Sequence, residues 1–102
     1  MEKTIAGVNV SVNEEGYLTN PEQWNEDIAK VIAQEEGIEL TDKHFEVLNF
    51  LREQFNAGEG LTIRKLGNSG ITDIKGLYQL FPGGPLKKSS RIAGIPKPAS
   101  CV

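Results

Sequence analysis

Glycine and proline set the limits on what this chain can fold into. They recur at Pro21, Gly37, the "NAGEG" run at 56–60, Gly67, "PGGP" at 82–85, Gly94 and "IPKP" at 95–98. Glycine supplies the positive φ of a turn or helix end, and proline fixes φ and removes a backbone donor, so each of these is a stop or a turn. Between them lie short segments whose apolar residues recur at helical spacing. The expectation is a single small domain made mostly of short helices. At 102 residues and 38% hydrophobic content it is large enough to bury a real core.

The segments read in order. Val8, Val10 and Val12 alternate with polar residues, and Gly7 and "NEEG" are turn signals, so a β-hairpin is expected from about Thr4 to Val12. A lone hairpin is marginal and must pack on helices. Asn20 can cap a helix, Pro21 suits its first position and Gln23 can close a capping box. Trp24, Ile28, Val31 and Ile32 then share a face, and Gly37 stops that helix near residue 36. Thr41 caps a second helix with a core stripe of Phe45, Leu48, Leu51 and Phe55, and with Val47 beside it. Asp42, Lys43, Glu46, Arg52 and Glu53 fall on its other, polar face. A short helix at about Thr62 to Leu66 ends at Gly67. Thr72 then caps another, with Ile71, Ile74, Leu77, Tyr78 and Phe81 on one side. This pair, joined by "GNSG", resembles a helix-turn-helix element. "PLKKSSRIAG" forms a last short helix closed by Gly94. The expected fold is mainly α: a small helical bundle with a helix-turn-helix-like element, an N-terminal β-hairpin and an extended, flexible C-terminal arm. Residues 1–94 form the domain and residues 95–102 the arm.

Charge is divided unevenly. Residues 1–60 hold four basic and thirteen acidic residues, a balance of −9, whereas residues 61–102 hold seven basic residues and one acid, +6, within a net charge of −3. The asymmetry points to an acidic partner surface or nucleic acid at the C-terminal half. A DNA-binding regulator using the helix-turn-helix is one alternative, but the pI of about 5.1 is low for a dedicated DNA binder. No apolar run approaches the ~20 residues of a membrane span, and the start shows no signal-peptide pattern. The single cysteine cannot form an internal disulfide, which fits a reducing compartment and hence the cytoplasm.

That cysteine, Cys101, is the second-last residue, behind "IPKP". Pro96 and Pro98 fix their own φ and bias Ile95 and Lys97 toward extended geometry, and Gly94 in front is placed to act as a swivel. A rod from Ile95 to Cys101 reaches about 20 Å at ~3.1 Å per residue. Lys87, Lys88, Arg91 and Lys97 would favour the thiolate if the arm folded back, while the carboxylate of Val102 opposes it. The bland alternative is an incidental cysteine on a frayed tail. No other catalytic set is complete. His44, the only histidine, reads as structural or solvent-facing, and one His with one Cys does not make a zinc site. The glycines carry no phosphate-loop pattern, and Ser89 and Ser90 have no evident base. No cofactor and no metal are expected.

The stretch "LYQLFPGGPLKKSSRIAGIPKPASCV", together with "EEGYL", Trp24, "EGIELTDKHFEVLNFLREQF" and "IRKL" in the same order, closely resembles the DsrC/TusE family. The resemblance covers nearly the whole chain. It implies a helical fold with a hairpin and a mobile arm, and it implies that Cys101 carries sulfur as a persulfide between proteins. Donor and acceptor would be a sulfurtransferase and either a transfer-RNA thiolase or a dissimilatory sulfite reductase. Arg64, Lys87, Arg91, Gly94, Pro96, Lys97 and Pro98 would shape and charge the arm and its dock. DsrC proteins proper have a second cysteine eleven residues before the penultimate one, where this chain has Ser90. The one-cysteine pattern is more like TusE, whereas the length of "KLGNSGITDIKGLYQLF" is closer to DsrC. A third reading within the resemblance is a docking subunit of sulfite reductase that does not turn over.

Overall fold

The computed structural model describes residues 1–59 and 62–96. The chain opens with β1 (Glu2–Ile5) and β2 (Val8–Ser11), an antiparallel hairpin in the register Lys3↔Val10 and Ile5↔Val8. Ala6 and Gly7 both take positive φ, 52° and 78°, the signature of a two-residue type I′ turn whose twist matches the strands it joins. Ile5, Val10 and Val12 point into the core, but Val8, next to the turn, stays 37% exposed.

Among the described residues five α-helices follow: α1 (Glu26–Glu35), α2 (Asp42–Asn56), α3 (Ile63–Gly67), α4 (Ile74–Leu80) and α5 (Pro85–Ile92). The first departs from the sequence expectation. Asn20 does cap, through Oδ1 to the Glu22 amide at 3.1 Å, but what it caps is one 3₁₀ turn, Pro21–Gln23. Trp24 leaves helical geometry at ψ 144°, and Asn25 caps again, accepting from the Ile28 amide at 2.8 Å. Gln23 closes no capping box, because its Oε1 accepts the Ser11 amide at 2.9 Å and ties the turn to the hairpin. The break frees Trp24 from the α1 face and lets it reach α5.

Two helices are rotated from their expected faces. On α2 the buried residues are His44, Val47, Leu48 and Leu51. Phe45 is only half-buried and Phe55 is 36% exposed. On α4, Leu77 and Phe81 are buried while Ile74 and Tyr78 are 44% and 48% exposed. The N-cap of α4 is Asp73, whose Oδ1 accepts the Gly76 amide at 2.7 Å, and not Thr72. Thr41 caps α2 as expected, with His44 as its reciprocal partner: the Thr41 amide donates to His44 Nδ1 at 3.1 Å. His44 Nε2 lies 2.9 Å from the Leu80 carbonyl, which can only accept, so the partners assign the ring proton to Nε2. The ring also meets Phe81 edge-on, 5.1 Å between centroids. His44 thus joins α2 to the end of α4 from inside the core.

α5 lies at the centre of this assembly and packs on α1, α2 and α4. Leu86 and Ile92 are fully buried, and so are Ser89 and Ser90.

Candidate functional site

The site is α5 and the point where the chain leaves it. At the N-terminal end, Gly83 and Gly84 take φ of 88° and 155°, turns that a side chain would strain, and Pro85 occupies the first helical position. The Lys87 carbonyl accepts the buried Tyr17 hydroxyl at 3.0 Å, anchoring α5 to the segment after the hairpin. Arg91 makes a second anchor. It donates to Glu36 Oε1 at 2.5 Å, to Glu35 Oε1 at 2.8 Å and to the Gly16 carbonyl at 3.3 Å. Its burial works against the charge, but the two carboxylates outweigh that and hold the guanidinium above its ordinary value. Glu35 is affected in the opposite sense. Burial would raise it, but hydrogen bonds from Arg91 and Lys3 hold it below the usual carboxylate range. A cleft of about 310 Å³ opens here, lined by Tyr17, Glu36, Gly83, Gly84, Lys87 and Arg91 among others. Part of the positive charge of the C-terminal half is therefore spent inside the molecule.

The C-terminal end of α5 is closed more completely. A helix leaves its last carbonyls without intrahelical partners. Here the Ala93 amide donates to the Ser89 carbonyl at 2.8 Å, the Gly94 amide to Arg91 at 3.2 Å and the Ile95 amide to Ser90 at 3.2 Å. With Gly94 at φ 72° this is a Schellman motif. The two remaining carbonyls are taken by side chains from far away in sequence. Trp24 Nε1 donates to the Ile92 carbonyl at 2.8 Å, and Arg52 Nη1 to the Ala93 carbonyl at 2.8 Å. Arg52 Nη2 also donates to the Pro21 carbonyl at 2.9 Å, and its guanidinium lies 4.4 Å from the centre of the Trp24 ring. Burial pulls Arg52 below the ordinary arginine value. A Cβ on Gly94 would fall 2.3 Å from Trp24 Cδ1, so Gly94 is a packed corner and not a swivel. Ile95 is fully buried, and the first exposed residue is Pro96.

The sequence-predicted residues are thus dispersed. Gly94 closes α5, with Pro96 just beyond it. Arg91 faces Glu35 and Glu36. Lys87 is exposed and Arg64 is exposed on α3, neither with an ion pair among the described residues. Cys101, Lys97 and Pro98 lie outside the described residues. Sequence reasoning missed Trp24 and Arg52, having placed the first on a helix face and the second on a solvated one. Ser90, at 0% exposure, is the one buried side-chain polar group with no hydrogen-bond partner among the described residues. α3 and α4 do pack together, but α4 carries one basic residue, Lys75, and exposes Ile74 and Tyr78, a weak basis for reading DNA. Among the described residues no group of His, Cys, Asp or Glu could hold a metal, and no helix is long and apolar enough to cross a membrane.

The family model for DsrC-like proteins matches residues 4–102. The chain belongs to the DsrC-like family. Within it, the sulfurtransferase TusE homolog of Haemophilus influenzae is 41% identical, with 96% of this chain and 97% of that protein covered. Sulfurtransferase TusE of Escherichia coli K12 is 39% identical, with 94% and 95% covered. The solution structure of DsrC from Allochromatium vinosum superposes over the whole of both chains with a TM-score of 0.83 at 39% identity. The oxidized gamma subunit of dissimilatory sulfite reductase from Archaeoglobus fulgidus does so with 0.83 at 32%. The expectation of a mainly helical DsrC-type fold holds. Kinship with TusE and DsrC proteins supports a sulfur-carrier role for this chain.

Proposed function

We propose that the protein is a persulfide relay in which Cys101 takes a sulfur atom from one protein and delivers it to another. The Cys101 thiolate attacks the outer sulfur of a donor persulfide, the donor S–S bond breaks, and the donor leaves as a thiolate. An acceptor thiolate then attacks the outer sulfur on Cys101 and releases the Cys101 thiolate. Neither step needs an external electron. The donor would be a sulfurtransferase, and the acceptor a thiolase acting on transfer RNA. The observation that carries this reading is 41% identity to a TusE homolog across almost the full length of both chains. The presence of one cysteine in the sequence fits it, since a relay needs only one. Arg64, Lys87 and Lys97 supply positive charge for docking, and Gly94, Pro96 and Pro98 shape the arm, which begins in earnest at Pro96.

A second reading is favoured by the likeness to the gamma subunit of dissimilatory sulfite reductase from Archaeoglobus fulgidus and to a chain of dissimilatory sulfite reductase I, the latter at TM-score 0.88. There the arm would dock on a sulfite reductase, as a carrier or as a resident subunit.

Intact-protein mass spectrometry after incubation with inorganic polysulfide tests the relay. The wild type gains one sulfur atom and Cys101→Ser gains none. Equal gain in both, or none in either, would sink the proposal.

A further inference from the structure

We infer that Trp24 and Arg52 are positioning residues that fix the direction in which the C-terminal arm leaves the domain. A Schellman motif alone would close α5. Here two side chains, 68 and 41 residues away in sequence, take the last two carbonyls as well. Arg52 is the informative member. It is half-buried, and among the described residues no carboxylate pairs with it. A desolvated charge without a counter-ion is costly, and a neutral packed side chain would serve stability better. The guanidinium offers instead a rigid planar fork. One arm of the fork holds Ala93, the other holds Pro21, and its face lies on Trp24. It also carries positive charge to the negative end of the α5 dipole. Trp24 in turn fills the space beside Gly94 so closely that the αL corner cannot relax. Ile95 is locked in the core, and Pro96 follows with a φ fixed by its ring. Each bond at this corner therefore has one setting, and the chain departs along one line.

The chemical consequence is pre-organisation. A tether that starts in a defined direction explores a smaller volume, so its end is more concentrated where it points. For that consequence the inference rests on the relay reading, but the geometry of the corner does not.

Cys101, as the only native thiol, allows a direct test. A nitroxide on Cys101 is paired with a second on Asp27→Cys or Lys75→Cys, both exposed positions, and the distance distribution is measured by pulsed electron paramagnetic resonance. Trp24→Phe keeps an aromatic side chain but loses the indole donor and the five-membered ring beside Gly94, and Arg52→Lys keeps the charge and loses the fork. Both variants are expected to stay folded, with distributions at least about twofold wider than in the unsubstituted background, as for a chain released to explore all directions. Unchanged widths in both variants, even with a lowered Tm, would show a purely stabilising role and overturn the inference. So would a background distribution already as wide as theirs. If Arg52→Lys does not fold, Trp24→Phe alone decides. Polysulfide loading of the unlabelled proteins separates the two claims. Loading with unresponsive distances removes the positioning role and leaves the relay, while responsive distances without loading remove the relay and leave the positioning role.

Discussion

Replacing Ser90 with alanine should make this protein more stable. The Ser90 hydroxyl is at 0% exposure and has no hydrogen-bond partner among the described residues, so folding strips it of water without compensation. An unsatisfied buried hydroxyl costs about 1–3 kcal/mol. Alanine removes that cost and adds about 0.5 kcal/mol of helix propensity inside α5. Against this stands the void left by one oxygen, smaller than a methyl group and worth less than about 1 kcal/mol. The balance is a gain of about 1–2 kcal/mol, and each kcal/mol raises Tm by about 4–8 °C in a domain of this size. Ser89 is the internal control. It is equally buried, but its Oγ donates to the Leu86 carbonyl at 3.2 Å, so Ser89→Ala should gain little or lose. Urea and thermal unfolding of the two variants beside wild type read the difference. A Ser90→Ala protein less stable than wild type by more than about 1 kcal/mol would refute the reasoning, because the hydroxyl would then have to be satisfied.

Other outcomes follow from the same structure. Gly94→Ala combines an αL penalty with a clash against Trp24 and should cost about 2–5 kcal/mol, measured by urea denaturation. Ala6→Asn places a residue suited to positive φ in the type I′ turn and should stabilise by up to about 1 kcal/mol, visible as a higher Tm. Glu35 is held below the ordinary glutamate value of 4.5, so its contribution is present above that pH and is lost as pH falls through the lower, folded value. Glu35→Gln should therefore flatten the acid limb of stability against pH below about 4.5, and an unchanged limb would argue against the ion pair with Arg91.

The hairpin, the five helices and most of their ends could be read from glycine, proline and cap residues, because those signals are local. Facing was less legible. Both α2 and α4 carry apolar residues on more than one side, so Phe55, Ile74 and Tyr78 looked as eligible for the core as Val47 and Leu77, and only the neighbouring helices choose between them. The break at Trp24 was hidden because Asn20-Pro21 and Asn25 are both competent starts, five residues apart. Arg52 was illegible for a different reason. Its partners, Pro21 and Ala93, are 31 and 41 residues away, and backbone carbonyls leave no mark in a sequence. The "IPKP" run and Cys101 were evident as a pattern, but the contacts of Trp24 and Arg52 at the end of α5 were not.

The burial of Ile95 sets a limit on traffic. The thiol lies six residues beyond that fixed point, so it cannot travel more than about 20 Å from it. Under the relay reading, any protein that exchanges sulfur with Cys101 must bring its own reactive group inside that radius. A single thiol can exchange sulfur with only one such protein at a time. Loading and unloading would then be separate steps with a persulfidated form of this protein between them, and steady-state rates would give parallel double-reciprocal lines.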